Sequence, residues 1–432
     1  MVRQLRLELD NEVFLRLANF AVGETHFAFF VNDLDNFSLA LGEQRSITIT
    51  ESKGAFDQLI NFQQNSKARI AGYFGYDLKN DLEDLESKND DELNFPETIF
   101  FEPRAWVYSK EGQIKIESDN PDYLDLIESK VTQAESKTPG IGEFVHDIKP
   151  NTSREEYLEN AMKFRSHLKR GDIYEANYCI QFTGAVKNFD VVNQFINLQR
   201  KTEAPFSVFA GLDGHFILSA SPERYLKNQK GELISQPIKG TKKRSDDPRL
   251  DQIYKEQLSH DLKEQSENVM IVDLVRNDLS RVAARGSVHV SELFGSKTFK
   301  TVHHLVSTVG AKLNSEKYNH WDAIKASFPM GSMTGAPKIS AMKLIDQYES
   351  FKRTAYSGAF GWIDPSGDFD FNVMIRTIYF NKLFSRVSFA VGSALTIKAI
   401  PENEYDECLL KAKALLESLE SAKISDGITS EV

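Results

Sequence analysis

YSGAFGWIDPSGDFDFNVMIRTIYFNKLFSRVSFAVGSALTI, residues 356–397, contains three apolar runs separated by short polar breaks. YSGAFGWID, DFNVMIRTIYF and RVSFAVGSALTI are rich in aromatic and β-branched residues, and they read as successive antiparallel strands. Nothing with helical spacing stands between them. A run of strands without intervening helices argues for an antiparallel sheet rather than for repeated strand–helix–strand units.

The same texture recurs upstream. HFAFFV (26–31), SITIT (46–50), ARIAGYFGY (68–76) and TIFFEPRAWVY (98–108) read as strands, and the acidic DLEDLESKNDDEL (81–93) as a solvated loop or helix face. VTQAESKTPGIGEF (131–144) loses periodicity and carries Pro139, Gly140 and Gly142, so it reads as a linker. This divides the chain into a β-rich part, 1–140, and a second part, 145–422, with 423–432 expected as a disordered tail. In the second part Thr152 or Ser153 can cap a helix, with Glu156 placed for a capping box and Gly171 to end it. DIYEANYCIQFTGAV, PFSVFAG and HFILSASPERYL read as strands, and LSHDLKEQSENVMIVDLVRNDLSRVA as helical. HVSELF is expected as a strand, HHLVSTVGAKL as a helix, and KISAMKLIDQYES as a helix with Pro337 in its first turn. A last helix, EYDECLLKAKALLESLES, closes an α+β fold. No fixed-period repeat occurs.

The 432 residues are enough for one large domain or two ordinary ones. No run reaches the roughly 18 apolar residues of a membrane helix, and acids interrupt the start too early for a signal peptide. Two cysteines without a CxxC spacing exclude a disulfide framework and fit a reducing cytoplasm. A net charge of −11 argues against nucleic acid or an anionic membrane as partner. An anionic small molecule would need local cations or a metal.

Four features carry chemistry. Glu264 and Glu267 share a helix face with Ile271 and Leu274, and Glu407 and Lys411 share another with Leu415. Such acids are either ordinary surface pairs or ligands of a hard ion such as Mg²⁺, which accepts few protein carboxylates and keeps its waters. FPMGSMTGAPKISAM places Gly331, Gly335 and Pro337 before a helix. It is either a plain tight turn or an anion-binding helix start, and Pro337 before Lys338 departs from a nucleotide-binding loop. Arg376 lies in an apolar strand pattern, by alternation on one face with Asn372, Met374 and Ile378, as a structural ion pair or a carboxylate ligand. Lys239, in SQPIKGTKKR (235–244), is either a solvated lysine or a catalytic amine.

GDIYEANY (171–178), SPERYL (221–226), PIKGTKKR (237–244), KEQSENVMIVDLVRNDL (263–279), VHHLVSTV (302–309), FPMGSMTGAPK (328–338), YSGAFGWID (356–364), FNVMIRTI (371–378) and PENEYDECLLKAKALL (401–416) together resemble the chorismate-utilising enzymes, in family order over about the last 280 residues. GYFGYDL (72–78) resembles the family's N-terminal segment. The resemblance implies the fold of anthranilate synthase component I, with two large antiparallel β-sheets and flanking helices. It also implies chorismate as substrate. Lysine at 239, where anthranilate synthases have alanine, implies the branch that forms 4-amino-4-deoxychorismate for 4-aminobenzoate and folate. Lys239 would attack C2, Glu223 would protonate the leaving C4 hydroxyl, and His304 would stand beside the ring. Mg²⁺ would be held by Glu267 and Glu407, with Glu264 nearby, and Lys411 would order these carboxylates. Arg376 and Tyr356, with the Ser393 and Ala394 N–H groups, would bind the enolpyruvyl carboxylate. Gly240, Thr241, Thr334, Gly335 and Ala336 would line the rest. Lys239 must be neutral to attack, and burial or Lys242, Lys243 and Arg244 would lower its pKa.

Glu175 stands where many members have glutamine, and Ser393 and Ala394 stand where glycines are commoner. The chain lacks a glutaminase turn, so the resemblance implies ammonia from a separate glutamine amidotransferase subunit in a heterodimer, and a separate enzyme to remove pyruvate. The rivals are anthranilate synthase component I, which Lys239 opposes, and a catalytically silent chorismate-binding subunit.

Overall fold

The computed structural model describes residues 1–6, 11–110, 112–132 and 146–420. Most of the expected linker at 131–144, and the tail at 423–432, lie outside the described residues. The strands pair antiparallel throughout.

One sheet runs from Val2–Arg6 through Gln113–Ser118, Thr98–Lys110, Phe37–Ile49, His26–Val31, Phe206–Leu212, His215–Ser221, Thr377–Asn381 and Arg386–Thr396 to Glu175–Ala185. His146–Pro150 and the two-residue strand Gly335–Ala336 pair with the free side of Glu175–Ala185. The second sheet branches from the first half of Thr98–Lys110. It continues through Ile70–Phe74, Ala359–Ile363, Phe369–Val373, Arg224–Gln229, Glu232–Gln236 and Val302–Lys312 to His289–Thr298, with Ile238–Lys243 also beside Val302–Lys312. The α+β reading with two large antiparallel sheets is therefore the observed fold.

Strand alternation sets the layers. Phe27 and Phe29 enter one core with Leu39, Leu41, Phe209 and Leu218, under the helices Asn11–Ala21, Pro121–Thr132, Arg154–Arg170, Val191–Thr202, Lys338–Tyr348 and Pro401–Glu420. Ala28, Ala40, Ala210 and Ala390 point the other way, toward the second sheet. Their small side chains leave room for aromatic rings: Phe30 of the first sheet lies 5.8 Å from Phe360 of the second, beside Tyr73. The far face of the second sheet carries Phe74 and Phe371, packed near Phe56, Trp321 and Phe328. The helices Ala55–Gln64, Leu262–Ser280 and His320–Ser327 cover that side.

Local signals hold where a cap or a turn specifies them. Ser153 Oγ accepts the Glu156 N–H, the helix ends at Arg170, and Gly171 takes a left-handed φ of 82°. Within the acidic stretch Asp81 is not idle, because its carboxylate accepts the Gly54 and Phe56 N–H groups at the start of Ala55–Gln64. HHLVSTVGAKL is a strand, not the expected helix. It belongs to Val302–Lys312, which has strand neighbours on both edges and is buried on both faces, so the polar alternation that would have marked it is absent. Among the described residues no helix is long and apolar enough to cross a membrane. Cys179 and Cys408 are both buried and carry free thiols.

Candidate active site

The site forms where strands stop being regular. HFILSASPERYL is two strands, His215–Ser221 in the first sheet and Arg224–Gln229 in the second, and Glu223 sits at the crossing between them. The neighbouring chain crosses beside it. Phe369–Val373 belongs to the second sheet and Thr377–Asn381 to the first, with Arg376 between them at φ 51°. The two crossings are stitched by Val373 N–H to Glu223 O at 3.0 Å, Ala220 N–H to Arg376 O at 3.0 Å, and Ser221 Oγ–H to Val373 O at 2.6 Å. The alternation assigned to Arg376 therefore does not apply, because a left-handed residue breaks it. Arg376 is half-buried as a residue, its guanidinium finds no ion-pair partner among the described residues, and burial lowers its pKa against the opposing effects of Tyr356 and Glu407.

Lys239 lies at an irregularity of its own. The pairing of Ile238–Lys243 with Val302–Lys312 slips between Ile238 and Thr241, and Gly240 takes φ 89°. A Cβ on Gly240 would come within 3.0 Å of Glu264 Oε2, so glycine lets the bulge pass beneath the helix Leu262–Ser280. Lys239 Nζ is 2.6 Å from Glu175 Oε1, with the two side chains 12% and 1% exposed. Burial alone lowers the Lys239 pKa, but Glu175, helped by Glu267 and Glu407, outweighs it and holds the amine above the ordinary lysine range. The expected contribution of the following cations is not found. Lys242 donates to Gln257 and Arg244 pairs with Asp251, both on the helix Pro248–Ser259.

Glu223 is 4% exposed, and burial pushes its carboxyl up to about 7 despite Ser332, Lys239 and the Ile238 N–H. It is thus an acid near neutral pH. His304 Nδ1 faces Thr241 Oγ1 at 2.9 Å and Gly240 O at 3.3 Å. Burial, reinforced by Arg376, lowers its pKa to about 3, so the ring is neutral.

The two glutamate helices meet across the same space. Burial raises Glu267 to about 7, and it also raises Glu264. Burial would raise Glu407 too, but Lys411 at 2.6 Å brings it below the ordinary range. Lys411 also donates to Gly392 O at 2.8 Å, tying the last helix to Arg386–Thr396. Glu404, 3% exposed, accepts from Lys263 at 3.1 Å. Neither Glu404 nor Lys263 was singled out in the sequence. The signal was there: Glu404 and Glu407 repeat the three-residue spacing of Glu264 and Glu267. Among the described residues no three of these groups converge as a metal-ligand set. The donors nevertheless suit a hard divalent cation, since Glu267 Oε1 is buried without a hydrogen-bond partner and the candidate ligands are all carboxylates.

The remaining expected residues divide between lining and support. The Gly392 carbonyl faces Lys411, so by alternation the Ala394 N–H points to the same open edge of the strand, whereas the Ser393 N–H turns to Glu175–Ala185. Ser393 Oγ shares a 2.9 Å hydrogen bond with Tyr157. Only one of the two expected backbone donors is therefore available to a ligand. Tyr356 is buried, and its hydroxyl donates to Cys179 Sγ at 3.6 Å rather than into open space. Thr334 is fully buried and donates to Met330 O, while Gly335 and Ala336 pair with Ala176 and Glu175. Lys338, the first residue of the following helix, pairs internally, its Nζ donating to Asp278 Oδ2 at 2.6 Å.

A family model described as chorismate binding enzyme matches residues 23–417. Aminodeoxychorismate synthase component 1 of Klebsiella aerogenes is 35% identical over 356 residues, which cover 81% of this chain and 77% of that protein. Anthranilate synthase component 1 of Thermus thermophilus is 32% identical over 367 residues, covering 82% and 78%. The crystal structure of anthranilate synthase component I from Streptococcus pneumoniae superposes with a TM-score of 0.78 at 24% identity, over 90% of this chain and 92% of that one.

Proposed function

The chain belongs to the chorismate binding enzymes, and from that premise we propose that it is a chorismate-aminating subunit that forms 4-amino-4-deoxychorismate. The observation that carries the reading is Lys239, a buried amine among carboxylates with a protonated acid, Glu223, facing the same space. Lysine has the amine that covalent catalysis at a ring carbon needs, and binding alone does not call for a nucleophile and an acid together.

In this reading Lys239 Nζ bonds to ring carbon C2 as the ring double bonds shift and the C4–O bond breaks. Glu223 gives its proton to the departing hydroxyl, which leaves as water. Ammonia then bonds to C4, and the C2–Nζ bond breaks to release the lysine. Ammonia enters and water leaves, and the enolpyruvyl group stays on the product. Arg376 takes the enolpyruvyl carboxylate with the Ala394 N–H. His304, neutral, stands beside the ring. Glu267 and Glu407, with Glu264 and Glu404 adjoining, would hold Mg²⁺, which when bound supplies positive charge for the ring carboxylate. A separate glutamine amidotransferase subunit would deliver the ammonia, and a separate lyase would release 4-aminobenzoate, the folate precursor.

The test is a product assay with chorismate, Mg²⁺ and an ammonium salt, read by chromatography and mass. The expected result is a 4-amino product without pyruvate, lost in Lys239→Ala. Anthranilate with pyruvate would overturn the reading.

A further inference from the structure

Glu223, Glu264, Glu267 and Glu407 all act on Lys239 through their charge, yet the carboxylate in ion-pair contact with its Nζ is a different one, Glu175 at 2.6 Å. Glu404 and Glu407 have partners of their own in Lys263 and Lys411, and Glu223 serves the leaving oxygen in the mechanism above. Glu175 is held on both sides of its strand, by Ala336 and by Thr396, so its carboxylate is presented from rigid backbone. It is 1% exposed, and its Oε2 is buried without a hydrogen-bond partner. A carboxylate buried with one bare oxygen is costly as a mere counter-ion, but it has the capacity to take a proton.

The resting amine is an ammonium, because Glu175 beside it, helped by Glu267 and Glu407, outweighs the effect of burial. An ammonium has no lone pair with which to attack. We propose that Glu175 is the proton acceptor that frees Lys239: one Nζ proton passes to the Glu175 carboxylate as the Nζ–C2 bond forms, and it returns when the lysine is displaced. This rests on the reading of Lys239 as nucleophile. The protons balance. Lys239 gives one proton to Glu175, attacks as a neutral amine, and is a secondary ammonium in the adduct. The C4 oxygen leaves with its hydrogen and the Glu223 proton as water. When ammonia displaces it, Nζ departs with the electron pair of the C2–N bond and retakes the proton from Glu175. The new C4 ammonium returns one proton to Glu223.

The experiment follows the first half-reaction alone. Enzyme with Mg²⁺ is mixed with chorismate in the absence of ammonia, quenched at intervals, and weighed as intact protein for an adduct of chorismate less water. Glu175→Gln is expected to form it about a hundredfold more slowly or worse, with chorismate affinity by calorimetry within about threefold of wild type. Glu175→Ala supplemented with formate is expected to recover about tenfold in adduct rate, and chloride at equal ionic strength to give nothing. Formate rescue also separates a proton acceptor from a purely structural carboxylate. Adduct formation by Glu175→Gln at the wild-type rate, or Glu175→Ala that binds chorismate but is deaf to formate, overturns the proposal. If wild type forms no adduct while Lys239→Ala still aminates chorismate, the nucleophile reading itself fails, and this proposal fails with it.

Discussion

Glu223 shows how burial assigns a role to a single side chain. A glutamic acid at a strand crossing, with its carboxyl pushed up to about 7, keeps a large protonated fraction at neutral pH. It loses that proton as pH rises through about 7, so turnover at saturating Mg²⁺ should fall on the alkaline side of that value. In Glu223→Gln the limb should disappear and kcat should drop by about 10²–10⁴, with the chorismate KM little changed. A pH profile of both enzymes measures this, and an alkaline limb that survives in the variant would assign the titration to another group. The identity of this acid was legible in SPERYL, and so was that of Lys239 in PIKGT. The ionisation of Lys239 was not. The sequence suggested that Lys242, Lys243 and Arg244 would depress Lys239, whereas the folded chain sends Lys242 and Arg244 to partners on Pro248–Ser259 and gives Lys239 a carboxylate. Neighbours in sequence along a strand point to alternate faces, so adjacency says little about which charges meet.

Among the elements, the shortest strand has the most to hold. Gly335, at φ 149°, passes so close to Glu175–Ala185 that a Cβ would overlap the Glu175 carbonyl oxygen. Gly335→Ala should therefore push Gly335–Ala336 away from the residue that pairs with Lys239. We expect loss of most amination activity and a loss of stability of the order of 1–3 kcal/mol, measured by the product assay and by thermal denaturation. Full activity in that variant would mean that the strand tolerates the displacement. The two glutamate helices make a second prediction. Glu264, Glu267, Glu404 and Glu407 outnumber the cations that act on them among the described residues, Lys239, Lys263 and Lys411. A divalent cation should relieve that repulsion and bind the folded form selectively. Mg²⁺ at about a hundred times its dissociation constant should add about 2.7 kcal/mol, and Glu267→Gln should abolish most of the gain. A thermal midpoint indifferent to Mg²⁺ and to EDTA would remove the metal from the site.

For the chain as a whole, the β-rich first part and the second part share both sheets. His26–Val31 pairs with Phe206–Leu212 in one, and Ile70–Phe74 pairs with Ala359–Ile363 in the other. Lys352 pairs with Glu97, and the Thr354 N–H donates to Asp77, across the same division. Unfolding should accordingly be one cooperative transition by calorimetry, and a fragment beginning at residue 146 should fail to give one, since it would leave two inner strands without partners. Two separable transitions in the full chain would contradict this.

The sequence by itself determined what is encoded locally. The strands at 26–31 and 98–108, the helix cap at Ser153 with its end at Gly171, and the antiparallel run at 356–397 follow from alternation, capping and apolar period. The motifs also singled out Lys239 and Glu223, the nucleophile and acid of the proposed mechanism. Only the tertiary structure decided that Val302–Lys312 is a strand, because burial on both faces erased its period. It alone put Arg376 at a crossing, turned the Ser393 N–H away, brought in Glu404, and set Glu175 against Lys239. These are outcomes of sheet register and strand crossing. Register is settled by pairing between residues far apart in the chain, and no local window contains that information.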